Sequence, residues 1–199
     1  MAGHPRAAAS WPRSTIERGD LSVPVSFLTE DQERRYGRFA GDPTPEQLAL
    51  HFHLDDADRA FIDQHRGAHM RLGCAVQLGT VRFLGAFLED PSDVPGRVVH
   101  CMAGQLGLEI DGHMEVYRAS GWRWRHPVEI RATYGYRAFE VPGVGFRLTR
   151  WLFALCWTGT DRPSVLFDRA TAWLIARKVL LPGATTLERL VARVRARTA

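Results

Sequence analysis

Lysine is nearly missing from this chain. Of its 26 basic residues only Lys178 is lysine, and the other 25 are arginine. No GxxxxGK[ST] phosphate loop is present and no GxSxG nucleophile elbow, which removes the commonest nucleotide and hydrolase sites. Gly143-Val144-Gly145 is a two-glycine turn, too little to cradle a phosphate. The three cysteines, Cys74, Cys101 and Cys156, are odd in number and far apart. That excludes a disulfide framework or a CxxC zinc motif and fits a reducing cytoplasm. Long apolar runs are lacking too. The longest, Trp151 to Trp157, falls well short of the roughly 18 residues that cross a bilayer. Arg6 and Arg13 near the start have no apolar stretch behind them, so no secretory signal is expected. The expected location is the cytoplasm, with no membrane partner.

The chain has 199 residues, 45% hydrophobic and 24% charged, enough for one domain or two small ones with a real core. Formal charge is +4, but its distribution carries more information than its total. Residues 29–65 hold nine acids against four bases, and residues 86–117 hold six against one. Residues 118–150 reverse this, with seven arginines against Glu129 and Glu140. The last stretch, 188–199, sets four arginines against Glu188. Phosphate binding needs local positive density rather than a positive total. Solvated helix faces of varied charge give the same blocks, and a GC-rich coding sequence gives the same arginine bias.

No segment alternates in the manner of a strand, and periods of three and four dominate. Residues 1–25 mix Ala, Pro, Ser, Arg and Gly without period and read as a flexible tail. Thr29-Glu30-Asp31-Gln32 and Thr44-Pro45-Glu46-Gln47 are capping boxes, opening helices to about Arg38 and Phe52. Asp55 caps a third helix, with Asp56 and Asp58 at its positive end. Leu72, Ala75, Val76, Gly79 and Phe83 mark the strongest helix, from Gly67 to Leu84. Further helices are expected over about 95–106, over 126–134 with Pro127 early, over 146–157 and over 163–178. Thr186 is expected to cap a last helix to about Arg197. The fold predicted is an all-α multi-helix bundle with helix-turn-helix-like segments. The tail occupies 1–25 and the helical domain 26–199, with a division into 26–117 and 118–199 considered.

No catalytic set emerges. Asp55, Asp56 and Asp58 are explained by the helix dipole rather than by a metal. His65 and His69 are four apart and able to share a helix face as zinc ligands do, but a third ligand is not evident. No metal and no cofactor are expected. Cys74 and Cys156 sit in apolar patterns and read as core. Trp122 and Trp124 interleave with Arg123 and Arg125. They either stack on bases or sugars, or pack inward while the arginines face water.

Several segments, in order, carry a family resemblance. They are Phe27-Leu28-Thr29-Glu30, then Leu54-Asp55-Asp56-Ala57-Asp58, then His65 through Leu78 and Val81-Arg82-Phe83-Leu84-Gly85. After them come His126-Pro127-Val128-Glu129-Ile130-Arg131, Tyr134-Gly135-Tyr136-Arg137-Ala138-Phe139 and Leu181 through Val191. Over roughly residues 26–197 the chain resembles the N-terminal domain of Tn3-family transposases, the domain of unknown function DUF4158. Met70 and His100 depart from the pattern, which favours a polar residue and an aromatic there. The resemblance implies a helical, non-catalytic domain that recognises the terminal inverted repeats of a transposon in double-stranded DNA. The acidic, metal-dependent catalytic domain of the family is not expected in this chain. The candidate DNA-binding residues are Arg66, His69 and Arg71 at the start of the long helix, and Arg123, Arg125, Arg131 and Arg137 in the basic block. Arg189, Arg193 and Arg195 complete the set, expected on one face of the last helix. A second reading is a module that contacts other transposase subunits through the aromatic segment 146–157. A third is a transposase remnant without activity.

Overall fold

The computed structural model describes residues 26–110 and 112–198. The tail expected at 1–25 lies outside the described residues. Ten helices account for most of what is described: α1 (Glu30–Arg35), α2 (Pro45–His51), α3 (Asp56–Ile62), α4 (Ala68–Leu84), α5 (Gly96–Leu106), α6 (His113–Ala119), α7 (Trp122–Tyr134), α8 (Val144–Thr158), α9 (Pro163–Ala176) and α10 (Ala184–Thr198). The fold is all-α, and one isolated bridge pairs Arg137 with Val179.

Local sequence sets the first three helices. Thr29 with Gln32, Thr44 with Gln47, and Asp55 with Asp58 all form reciprocal capping boxes. Each satisfies two amides that the helix leaves unpaired. The first helix stops at Arg35 rather than Arg38, because Tyr36 turns extended and its ring packs on Phe167 of α9. The Tyr36 hydroxyl then donates to Pro182 O at 3.0 Å.

Helix α4 is the hub. From Leu72 to Val81 every residue is buried, and α2, α3, α5, α6, α7 and α9 all pack on it. A helix apolar on every side belongs at the centre of a bundle. It ends at Gly85, whose φ of 71° suits glycine. Ile175 and Leu181 press against that glycine, and Leu181 N donates to its carbonyl at 2.9 Å.

Buried apolar residues gather in two clusters. The first runs from Phe52 to Ile130 and holds α2 to α7. The second joins Leu28 to Val144–Val194, so Phe27, Leu28 and Tyr36, which flank α1, pack with α8, α9 and α10. The chain therefore starts in one cluster, builds the other and returns. Phe27 N donates to Glu188 Oε1 at 2.9 Å, tying the first described residues to the last helix.

Other sequence expectations need correction as well. Helix α6 was not anticipated, and α7 begins at Trp122, so Pro127 lies inside it rather than at its start. A proline at that position leaves the Arg123 carbonyl, four residues back, without its helical donor. Gln77 of α4 supplies one: its side-chain amide reaches Arg123 O at 3.1 Å. Thr186 lies within α10, two residues past its first, and does not cap it. Asp58 is more than a dipole residue. It is 2% exposed and accepts from both Arg82 guanidinium nitrogens, at 2.7 and 2.9 Å, and from the Tyr134 hydroxyl at 2.8 Å. Burial opposes its charge, but the bonds from Arg82 and Tyr134 prevail and hold the carboxyl below its usual range.

Candidate nucleic-acid interface

Three arginines of the basic block, Arg123, Arg125 and Arg131, lie on α7. His126 and Ile130 point into the core, which sends Trp124, Val128 and Arg131 to the opposite side. Trp124 is 57% exposed and Val128 64%. The two tryptophans divide between the alternatives the sequence left open. Trp122 is half-buried, with its ring 5.4 Å from His126 and 6.0 Å from His65. Trp124 faces water. Each carries an arginine: Arg125 lies 4.4 Å from the Trp122 centroid and Arg123 4.5 Å from that of Trp124. Stacking holds each guanidinium flat while its edge keeps hydrogen-bond donors for a ligand.

The loop between α3 and α4 packs on the inner side of α7. His65 sits in that loop, outside the helix, with its ring 4.4 Å from His126. His65 and His69 thus do not share a helix face. Arg66 follows in the same loop and is exposed. Arg71, one turn into α4, is held by Asp63 at 3.4 Å and keeps only part of its surface. His69 is half-buried. Structure therefore brings Arg66 and Arg125 to neighbouring elements, though 59 positions separate them in sequence.

Not every arginine of the block is equally free. Arg123 and Trp124 line a cleft of about 560 Å³ together with Glu89, Asp90 and Asp93. Arg118, which the candidates did not include, pairs with Asp90 at 3.6 Å. These carboxylates repel phosphate at that edge, so the positive surface is open on the Arg125 and Arg131 side.

Arg137 belongs to a different group. Its backbone pairs with Lys178 O and Leu180 N at 2.9 Å each, which sets it beside the α9–α10 connection. Lys178 adopts a positive φ of 52° and its ammonium donates to Tyr134 O at 3.2 Å. Arg177 stacks on Trp173 at 4.2 Å. Arg177 and Lys178 are cations that sequence reasoning missed, brought to the block by the Arg137–Val179 bridge and the Lys178–Tyr134 bond.

Helix α10 packs on α8 and α9 through Leu187, Leu190, Val191 and Val194. Arg189 and Arg193 stand on the solvent side, and Arg193 Nε donates to Arg189 O at 3.3 Å. Arg195 does not join them. At 100° per residue it falls on the other flank of the buried stripe, about 160° from Arg193, and it is half-buried. The single face expected for the three is really a pair and a separate residue.

Helix α8 carries a second exposed feature. Val144, Leu148, Leu152 and Cys156 face inward. Phe146, 71% exposed, and Trp157, 85% exposed, share the outer side with Arg150.

A family model for DUF4158, described as a domain of unknown function, matches residues 27–194. The chain belongs to the DUF4158 family. It is also 47% identical over 176 residues to the transposase for transposon gamma-delta of Escherichia coli K12. That match takes in 88% of this chain and 18% of the relative. The transposase for transposon Tn1546 of Enterococcus faecium is 28% identical over 171 residues, 85% of this chain and 17% of its own. For transposon Tn3926 of Escherichia coli the values are 29% over 146 residues, 72% and 14%. This DUF4158 chain therefore spans less than a fifth of the length of these curated relatives, and its homology to Tn3-family transposases gives it a transposition-related origin. Among its described residues no helix is long and apolar enough to cross a membrane.

Proposed function

We propose that this chain binds duplex DNA at a transposon end and takes no catalytic part itself. The observation that carries the reading is the outer surface of α7. There Trp124, carrying Arg123, and Arg131 face water, while exposed Arg125 stacks on half-buried Trp122 at the flank and the Arg66 loop packs behind it through His65, in a chain 47% identical to a transposase. Arg125, Arg131 and Arg66 make base or phosphate contacts, with α6 and α7 used in helix-turn-helix fashion and α7 as the reading helix. Arg189 and Arg193 contact phosphates from the second cluster, and Arg137, Arg177 and Lys178 extend the positive track. The two clusters act as two units; because α7 packs in the first cluster and Leu28 in the second, the units do not follow the division of 26–117 from 118–199 expected from the sequence.

Fluorescence anisotropy on matched duplexes tests this, one carrying the gamma-delta terminal repeat and one scrambled. Affinity should fall steeply as salt rises, by a logarithmic slope of roughly 0.9 per phosphate contact. A base-reading arginine among Arg66, Arg71, Arg125 and Arg131 should cost about 1–3 kcal/mol on the repeat when changed to Ala, and little on scrambled DNA. No repeat preference and no salt dependence would end the proposal. The exposed Phe146 and Trp157 on α8 favour a second role, contact with another transposase subunit. Apolar association of that kind keeps its strength in high salt.

A further inference from the structure

Three donor side chains from separate parts of the chain meet inside the first cluster. His65 comes from the α3–α4 loop, Cys74 from α4 and His126 from α7, and a donor atom of each lies within 4.8 Å of the other two. Cys74 and His126 are fully buried, and His65 keeps 11% of its side-chain surface. The Nε2 atoms of both histidines are buried without a hydrogen-bond partner. Each such orphan costs roughly 1–3 kcal/mol, so two side by side in one core call for a ligand. Glu129 follows His126 by one turn of α7 and sets Oε2 3.7 Å from His65 Nε2.

We propose that His65, Cys74 and His126 bind one zinc ion, with the Glu129 carboxylate at the fourth corner. Two imidazoles, a thiolate and a carboxylate are donors that zinc takes tetrahedrally, at about 2.0–2.3 Å. Bonds of that length set neighbouring donors about 3.3–3.7 Å apart, so shifts of about 1 Å bring the three donors onto one ion, and the Glu129 side chain turns in from the His65 side to complete it. Zinc with one thiolate and one carboxylate has no net charge, which suits a buried position.

The surroundings are those of a ligand set. His126 Nδ1 lies 2.8 Å from the Tyr117 hydroxyl, and the Gln77 amide donates to the same oxygen at 2.6 Å. With Nδ1–H donating to Tyr117, Nε2 holds the lone pair a metal takes, and the ring is fixed in orientation. Burial, with His65 and Arg125 adding to it, pulls the His126 pKa down to about 3, so the ring is neutral and free to bind. Burial, with Glu129 adding to it, pushes the Cys74 thiol up. Zinc entry therefore releases the Cys74 proton to solvent as the Zn–S bond forms. The ion would clamp α7, and with it the arginine–tryptophan surface, onto α4 and the Arg66 loop. The site stands whether or not the chain binds DNA.

The full chain, stripped with a chelator, is titrated with Zn(II) and separately with Co(II). One metal per chain is expected, with Co(II) giving the intense visible bands of a tetrahedral site and a thiolate charge-transfer band. Zinc at about 100 times its Kd should raise Tm by roughly 5–10 °C. Cys74→Ala and His65→Gln should each weaken binding about 100-fold or more, and Tyr117→Phe about 10–100-fold. Cys101→Ala, outside the trio, should leave it unchanged. Circular dichroism shows which variants remain folded, and His65→Gln, in a loop, keeps the test open if Cys74→Ala does not. Absence of stoichiometric metal, absence of the charge-transfer band, or bands that survive in folded Cys74→Ala or His65→Gln would overturn the site.

Discussion

Glycine 73 lies in the second turn of the central helix, and its replacement by alanine sets two effects against each other. Glycine inside a helix is worse than alanine by about 1 kcal/mol, so propensity alone favours the change. Space opposes it. A Cβ at Gly73 would come within 3 Å of three ring carbons of Tyr117. That ring cannot step aside: it is fully buried, and its hydroxyl is held by Gln77 and His126. Forcing a methyl into a packed core costs typically about 1–3 kcal/mol, and a rigid neighbour places the cost at the upper end. Subtracting the propensity gain leaves Gly73→Ala destabilised by about 2 kcal/mol, a fall in Tm of roughly 4–8 °C for a chain of this size. Gly104→Ala, in α5 with nothing within 4 Å of the added carbon, carries the propensity effect alone and should gain up to about 1 kcal/mol. Thermal and urea unfolding of both variants decide the matter. If Gly73→Ala is as stable as the parent, or shifts with the sign of Gly104→Ala, the close approach of α4 and α6 is wrong.

Asp58→Asn should cost about 3 kcal/mol by stranding Arg82 in a partly buried site. Because the Asp58 carboxyl is held below its ordinary pKa, its contribution is complete above about pH 4 and is lost as pH falls further, so parent and variant unfolding curves should converge in acid. In metal-free protein the His126 ring, with its pKa near 3, favours the folded state above about pH 6.5 and progressively less down to pH 3. Tm should therefore fall across that window, and His126→Gln should flatten the profile. Arg189→Ala and Arg193→Ala should each reduce the salt slope of DNA binding by about 1 unit on any sequence, whereas Arg195→Ala, on the other flank of α10, should leave it unchanged. Phe146→Ser with Trp157→Ser should keep the helical spectrum, since both side chains face water, and should abolish any salt-resistant self-association seen by sedimentation.

The helices that begin on a local signal were legible in the sequence, for a physical reason. A capping box at Thr29, Thr44 or Asp55 and an apolar stripe from Leu72 to Phe83 act within a few residues, so they read the same before and after folding. The homologous region was legible too, because its motifs arrive in order. Tertiary structure decided what depends on distant partners. Pro127 reads as a helix start when taken alone, and becomes interior only because Gln77, fifty residues earlier, gives the freed Arg123 carbonyl a donor. The same holds for the candidate sites. Spacing suggested pairing His65 with His69, but the bend after α3 takes His65 out of the helix and onto His126 and Cys74, residues that no local pattern connects to it. Arg195 reads as one of three cations in a basic tail, and only the apolar stripe that α10 buries against α8 and α9 turns it away from Arg189 and Arg193. Sequence alone determined where charge and apolar surface lie along the chain. Which of those residues meet was settled by packing around α4, where burial forces each side chain to find a partner.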